Sequence, residues 1–110
     1  MTTVIFHTEG SRITGFDATG HSGYAPEGED IVCAAVTSTV RFIECSLNDV
    51  MGICAAVKVN EETATISLRL PGSLGQTFES TCQTLLTGMM LYLSELHNEY
   101  PENIEVLEAE

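Results

Sequence analysis

The chain has 110 residues and 44% hydrophobic content, enough for one domain around one core and too little for two. Sixteen acidic residues against four basic ones (Arg12, Arg41, Lys58 and Arg69) give a net charge of −12, which disfavours binding to nucleic acid and either attracts a basic protein or peptide partner or serves solubility alone. No apolar run approaches the roughly 18 residues of a membrane helix. The Met1–His7 start has neither a basic nor a long apolar region, so the expectation is no signal peptide, no membrane association and a cytoplasmic location.

In chain order, residues 3–8 (TVIFHT) and 12–19 (RITGFDAT) read as two strands joined by a short turn at residues 9–11. Alternation alone does not say which face of the first strand is buried. Residues 20–29 form a loop with three glycines and Pro26. Asp30 to about Met51 reads as a long helix, because Val32, Val36, Val40, Ile43, Leu47 and Val50 recur at helical spacing. Gly52 is a plausible stop.

Residues 53–60 (ICAAVKVN) and 63–70 (TATISLRL) read as two more strands, the second alternating apolar Ile66, Leu68 and Leu70 with polar neighbours. After the Pro71-Gly72-Ser73 break, a second helix runs from Leu74 to about Asn98. Phe78, Cys82, Leu85, Leu86, Met89, Leu93 and Leu96 line one of its faces. Residues 103–107 (NIEVL) read as a last strand. The order strand-strand-helix-strand-strand-helix-strand predicts an α+β domain over residues 1–110: a mostly antiparallel sheet with two long helices packed on it.

Chemistry concentrates between residues 20 and 35. Asp30 reads as the N-cap, which makes Cys33 the third helical residue, where the positive end of the helix dipole favours thiolate. His21 lies twelve residues earlier, in the glycine-rich loop, within reach of the thiol proton if the loop folds back. A cysteine nucleophile needs those two parts. The alternative for Cys33 is a small, inert, buried thiol. Cys45, Cys54 and Cys82 sit among apolar residues and are expected in the core. The four cysteines match no zinc module, and neither a metal nor a cofactor is expected. His7, in a strand, and His97, at a helix end, are expected to have structural or surface roles. A capping Asp30 is not free to orient His21, so a Cys-His dyad with Asp30 in support is expected, rather than a triad. Residues 22–29 are expected to close over a substrate.

The segment GHSGYAPEGEDIVCAAVTS resembles the signature of the ribosomal-processing cysteine protease family, Prp: Gly20-His21, a variable loop, then Asp30-Ile31-Val32-Cys33-Ala34. The likeness extends over the whole chain. It implies a small cysteine endopeptidase that removes the N-terminal extension of large-subunit ribosomal protein twenty-seven, acting as a homodimer. It places His21 and Cys33 on the catalytic pair, and Ser22, Gly23, Tyr24 and Gly28 in the substrate loop between them. Gly20 and Thr37 support the site. Family members commonly have serine where this chain has Thr37, which keeps the hydroxyl and adds a methyl group.

Two other readings remain open on the residues. One is a non-catalytic acidic dimer that binds or chaperones a basic ribosomal protein. The other is a different acyl-transfer chemistry on the same thiol and imidazole. A redox role fits poorly, because no resolving cysteine lies near Cys33 in sequence.

Overall fold

The structure, a computed structural model, describes residues 1–20 and 31–110 in full and residues 27–30 by their backbone. Strands β1 (Thr2–Glu9) and β2 (Arg12–Thr19) form a hairpin, followed by helix α1 (Glu27–Glu44). Strands β3 (Ala56–Asn60) and β4 (Thr65–Arg69), helix α2 (Gln76–Glu99) and strand β5 (Ile104–Ala109) complete the order. The strands make one sheet in the order β3-β4-β2-β1-β5. All neighbours are antiparallel except β1 and β5, which run parallel with Thr2 opposite Ile104. The α+β architecture read from the sequence is the one observed.

One sheet face carries the core. Thr2, Val4 and Phe6 of β1 are buried there, which settles the face that alternation left open. Phe6 pairs with Phe16, which pairs in turn with Leu68, so the strand centres stack one apolar row. Val32, Val36, Val40 and Ile43 of α1, Leu47 just beyond its end, and Cys82, Leu86, Met89, Leu93 and Leu96 of α2 pack onto it. By length and composition the segment Ile31–Val50 could also cross a bilayer, contrary to the sequence expectation. Here its inner stripe is packed on the sheet.

Three departures from the sequence reading have local causes. First, the long helix ends in a π-helical turn, Cys45–Val50. Its wider winding carries Val50 off the apolar stripe, and Val50 is 79% exposed. Phe78, in the first turn of α2, is also exposed. Second, residues 53–55 do not join β3. Cys54 adopts a left-handed backbone at φ +61°, and the Asn48 amide accepts from Ala55 N–H (2.7 Å) and donates to Ala55 O (3.1 Å). This side chain supplies the partners a strand would have supplied. Third, Cys45 and Cys54 are exposed, not in the core; Cys82 alone of the expected three is buried. Burial, together with nearby Glu79, raises the Cys82 thiol pKa.

α2 is fastened to the sheet by polar side chains at the start of β2. The Gln83 amide pairs with both backbone groups of Ile13, at 2.8 Å each. Arg12 donates to Glu79 (2.6 Å) and to Pro71 O (2.9 Å). At the other end of α2, His97 Nδ1 donates to Ile104 O at 2.6 Å, a structural role in agreement with the sequence expectation.

The opposite sheet face carries a polar cluster, beside the apolar pair Ile5 and Leu107. At its centre the Asp17 carboxylate accepts from His7 Nε2 at 2.8 Å and meets Arg69 Nη2 at 2.9 Å. Arg69 reaches Asp17 by lying across Gly15, its register partner. A Cβ on Gly15 would stand 2.1 Å from Leu68 O and 2.9 Å from Arg69 Cδ, so only glycine fits. Burial pushes the Asp17 pKa up, but hydrogen bonds from Ser67, His7 and Arg69 outweigh it and hold the carboxyl below its ordinary range.

Two outcomes are expected. Gly15→Ala forces β2 and β4 apart and costs about 1–3 kcal/mol in chemical denaturation. Asp17→Asn costs on the order of 1–3 kcal/mol at neutral pH. Because the folded pKa of Asp17 is depressed, its contribution is present above the unfolded value of about 3.9 and fades as pH falls through the folded value. The stability gap between wild type and Asp17→Asn therefore closes in acid, which urea titrations across pH will read.

Candidate active site

Cys33 is held by the phase of α1. Val32 and Val36 point into the core, and their neighbour Cys33 is turned to the margin of that stripe, 7% exposed. It lines a cavity of about 250 Å³ between α1 and the near ends of the strands. Val36, Thr37 and Val40 continue the helical wall, with Thr37 one turn beyond the thiol. Ala18, Val59 and Ile66 form the sheet wall, with Asn60 at the end of β3 and Glu61 in the turn that follows it. The lining is mostly apolar with few polar atoms, the composition of a small ligand or side-chain pocket.

Gly20 ends β2 beside this cavity. Its φ of +103° is a glycine conformation, and a Cβ there would meet Met1 O at 2.2 Å. Its N–H donates to Ala64 O at 3.3 Å, tying the chain to the β3–β4 turn just before the segment that carries His21. The glycine at this position is therefore demanded by backbone geometry as well as by any loop freedom.

The helix begins earlier than the sequence suggested. Glu27 opens α1, so Asp30 lies inside the helix and is not its N-cap, and Cys33 falls in the second turn instead of at the third position. The macrodipole acts chiefly within the first turn, so its pull on the Cys33 thiol is weaker than the cap reading implied. Gly28 lies in the first turn, as do the other residues from 27 to 29 that were expected to belong to a closing loop. His21, Ser22, Gly23 and Tyr24 lie outside the described residues.

Of the expected site residues, the structure brings Cys33 and Thr37 to one cavity and sets Gly20 beside it. Sequence reasoning missed the sheet side of the cavity, Ala18, Val59 and Ile66. Ile66 and Ala18 are register partners, and so are Val59 and Ile66. The alternation in β4 marked Ile66 as inward-facing, but nothing in the sequence set it opposite Cys33. The other two histidines are engaged elsewhere: His7 with Asp17 on the far sheet face and His97 with Ile104. Among the described residues no group of three or more metal-ligating side chains converges.

The chain is 29% identical over 94 residues to the ribosomal processing cysteine protease Prp of Bacillus subtilis, covering 86% of this chain and 84% of that one. The fold superposes on the crystal structure of the ribosomal processing protease Prp from S. aureus in complex with a substrate peptide. That match has a TM-score of 0.85 at 20% identity and covers 99% of this chain and 100% of the other. A second S. aureus Prp structure, with a covalently linked product peptide, matches with a TM-score of 0.80 at 21% identity over the same shares. The family model for cysteine protease Prp matches residues 1–105, and with Cys33 set at the lip of an apolar cavity, the chain belongs to the cysteine protease Prp family.

Proposed function

We propose that this chain is a cysteine endopeptidase that removes the N-terminal extension of large-subunit ribosomal protein twenty-seven. The observation that carries the reading is Cys33 beside an apolar cavity, in a chain of the cysteine protease Prp family. The Cys33 sulfur attacks the carbonyl carbon of the scissile peptide bond. His21 takes the thiol proton and returns it to the departing amine as the C–N bond breaks, leaving a thioester. Water then adds to the thioester carbon, its proton passing through His21 to the sulfur as the C–S bond breaks. An imidazole with an unperturbed pKa near 6.5 suits both transfers. Thr37 and Gly20 support the site by shape, and Asp30 by its charge near the start of α1.

The relatives support a peptide substrate. The B. subtilis relative is named for ribosomal processing, and the S. aureus relative was crystallised with a substrate peptide and with a covalently linked product peptide. The net charge of −12 suits capture of a basic ribosomal protein in the cytoplasm, before it meets ribosomal RNA.

The reading includes a homodimer. The outer sides of α1 and α2 leave Phe42 and Tyr92 exposed in the lining of a groove of about 470 Å³, and Leu91 is exposed on α2 as well. Residues 80–94 of α2 contain no charged side chain. Two chains at −12 repel each other, and this face is where they can meet without opposing carboxylates.

Incubation with the extended ribosomal protein, read by intact mass, is expected to release one N-terminal fragment with the wild-type protein and none with Cys33→Ala. His21→Ala is expected to lower kcat by at least about a hundredfold. A stable complex without cleavage would instead favour the acidic binding factor. Tyr92→Glu is expected to shift the sedimentation coefficient from dimer to monomer at micromolar concentration while leaving the circular-dichroism spectrum unchanged.

A further inference from the structure

Strand β3 is an edge of the sheet, and among the described residues no strand pairs with its outer margin. Edge strands are usually blunted by proline, a bulge, an inward charge or a covering helix. β3 has no proline, its pairing with β4 runs without a register shift, and only Lys58 offers a charge. Val59 is on the helix-facing side, paired with buried-side Ile66, yet it is 65% exposed. The sheet thus overhangs α1 along β3, and Val59 and Asn60 are at once strand edge and wall of the Cys33 cavity.

We propose that the free edge of β3 is the substrate-docking strand: an extended peptide pairs with it antiparallel or parallel and sets alternate side chains beside Val59, into the cavity that Cys33 lines. The proposal rests on the endopeptidase reading and supplies its recognition mode. Backbone pairing gives affinity with little regard to sequence, and the pocket selects the side chain that enters it. A strand added about 4.8 Å outside β3 continues the apolar face made by Val57, Val59 and Ile66. The cavity wall therefore selects an apolar anchor residue. Glu61 at the cavity and Glu62 beside it put negative charge where β3 ends, so the anchor is flanked by basic residues. Lys58 is on the opposite sheet face and does not oppose them. Val59 is then a specificity-determining residue, in the wall that the anchor side chain contacts.

The test is a backbone scan. Peptides spanning the junction between extension and mature ribosomal protein twenty-seven each carry one N-methyl group, and kcat/KM is measured with the wild-type protein. An added strand pairs every second residue, so losses of roughly tenfold should alternate with near-unchanged values along the segment. Val59→Lys should raise KM about tenfold with little change in kcat. A flat scan, or losses confined to the cleaved bond, overturns edge docking while leaving the endopeptidase reading intact. If the unmodified peptide is not cut at all, the endopeptidase reading fails, and hydrogen exchange on Cys33→Ala with that peptide decides the edge separately. Slowed amides in residues 56–60 uphold edge docking, and unchanged ones overturn it.

Discussion

The rotational phase of α1 governs the site. Five side chains from Val32 to Leu47 lock that helix onto the Phe6–Phe16–Leu68 row, and once they are seated no freedom remains in where the next residue round the helix points. Cys33 follows Val32 and is delivered to the lip of the stripe, half turned from the core and facing the strand ends. Thr37 follows Val36 and arrives one turn further along the same wall. Cys33 is thus positioned by packing: Val32, Ile43 and Leu47 set the helix on the sheet from outside the cavity, and Val36 and Val40 do so while lining it. A change of one methylene at Val36 or Val40 is felt in the packing of the helix that carries Cys33.

Coverage of the sheet sets the rest. Two helices are enough to bury the middle of a five-stranded sheet, and α2 is pinned over β2 and β5 by Gln83, Arg12 and His97. That leaves the β3 side overhanging. The same shortage of cover that exposes Val59 creates the opening of the cavity, so the entrance costs the fold only a few poorly buried valines. On the far face the polar cluster of Asp17, His7 and Arg69 ties β1, β2 and β4 together without needing a third layer.

Much of this was legible in the residues. The stripes of α1 and α2, the hairpin at Gly10 and the alternation in β4 all came from periodicity, since burial on one side leaves a regular mark. The chain segment carrying Cys33 was legible through its likeness to a family signature. What stayed hidden depended on single backbone choices. The left-handed Cys54 and the Asn48 clamp remove residues 53–55 from the sheet, and no hydropathy pattern encodes a φ of +61° at a cysteine. Cys45 and Cys54 looked like core because their neighbours are apolar, but a π turn and a left-handed turn face them outward. The start of α1 was placed a turn late because Asp30 has the chemistry of a cap, and cap preference is a local signal that the preceding residues can override.

The parallel pairing of β1 with β5 carries a kinetic consequence. Thr2 lies against Ile104, so the first strand and the last are side by side, with nearly the entire chain as the loop between them. Closing that loop comes at the largest entropy penalty the molecule contains, and it is repaid only when β5 adds its row of hydrogen bonds. The hairpin of β1 and β2 can form from near neighbours, while β5 waits for α2 to fold and turn back at Pro101. Such topology raises contact order and slows folding relative to a helical bundle of the same length. Until β5 docks, the β1 flank of the sheet stays unpaired, and Thr2, whose register partner is Ile104, is also a wall residue of the Cys33 cavity, so the last pairing step fixes the strand that completes that wall.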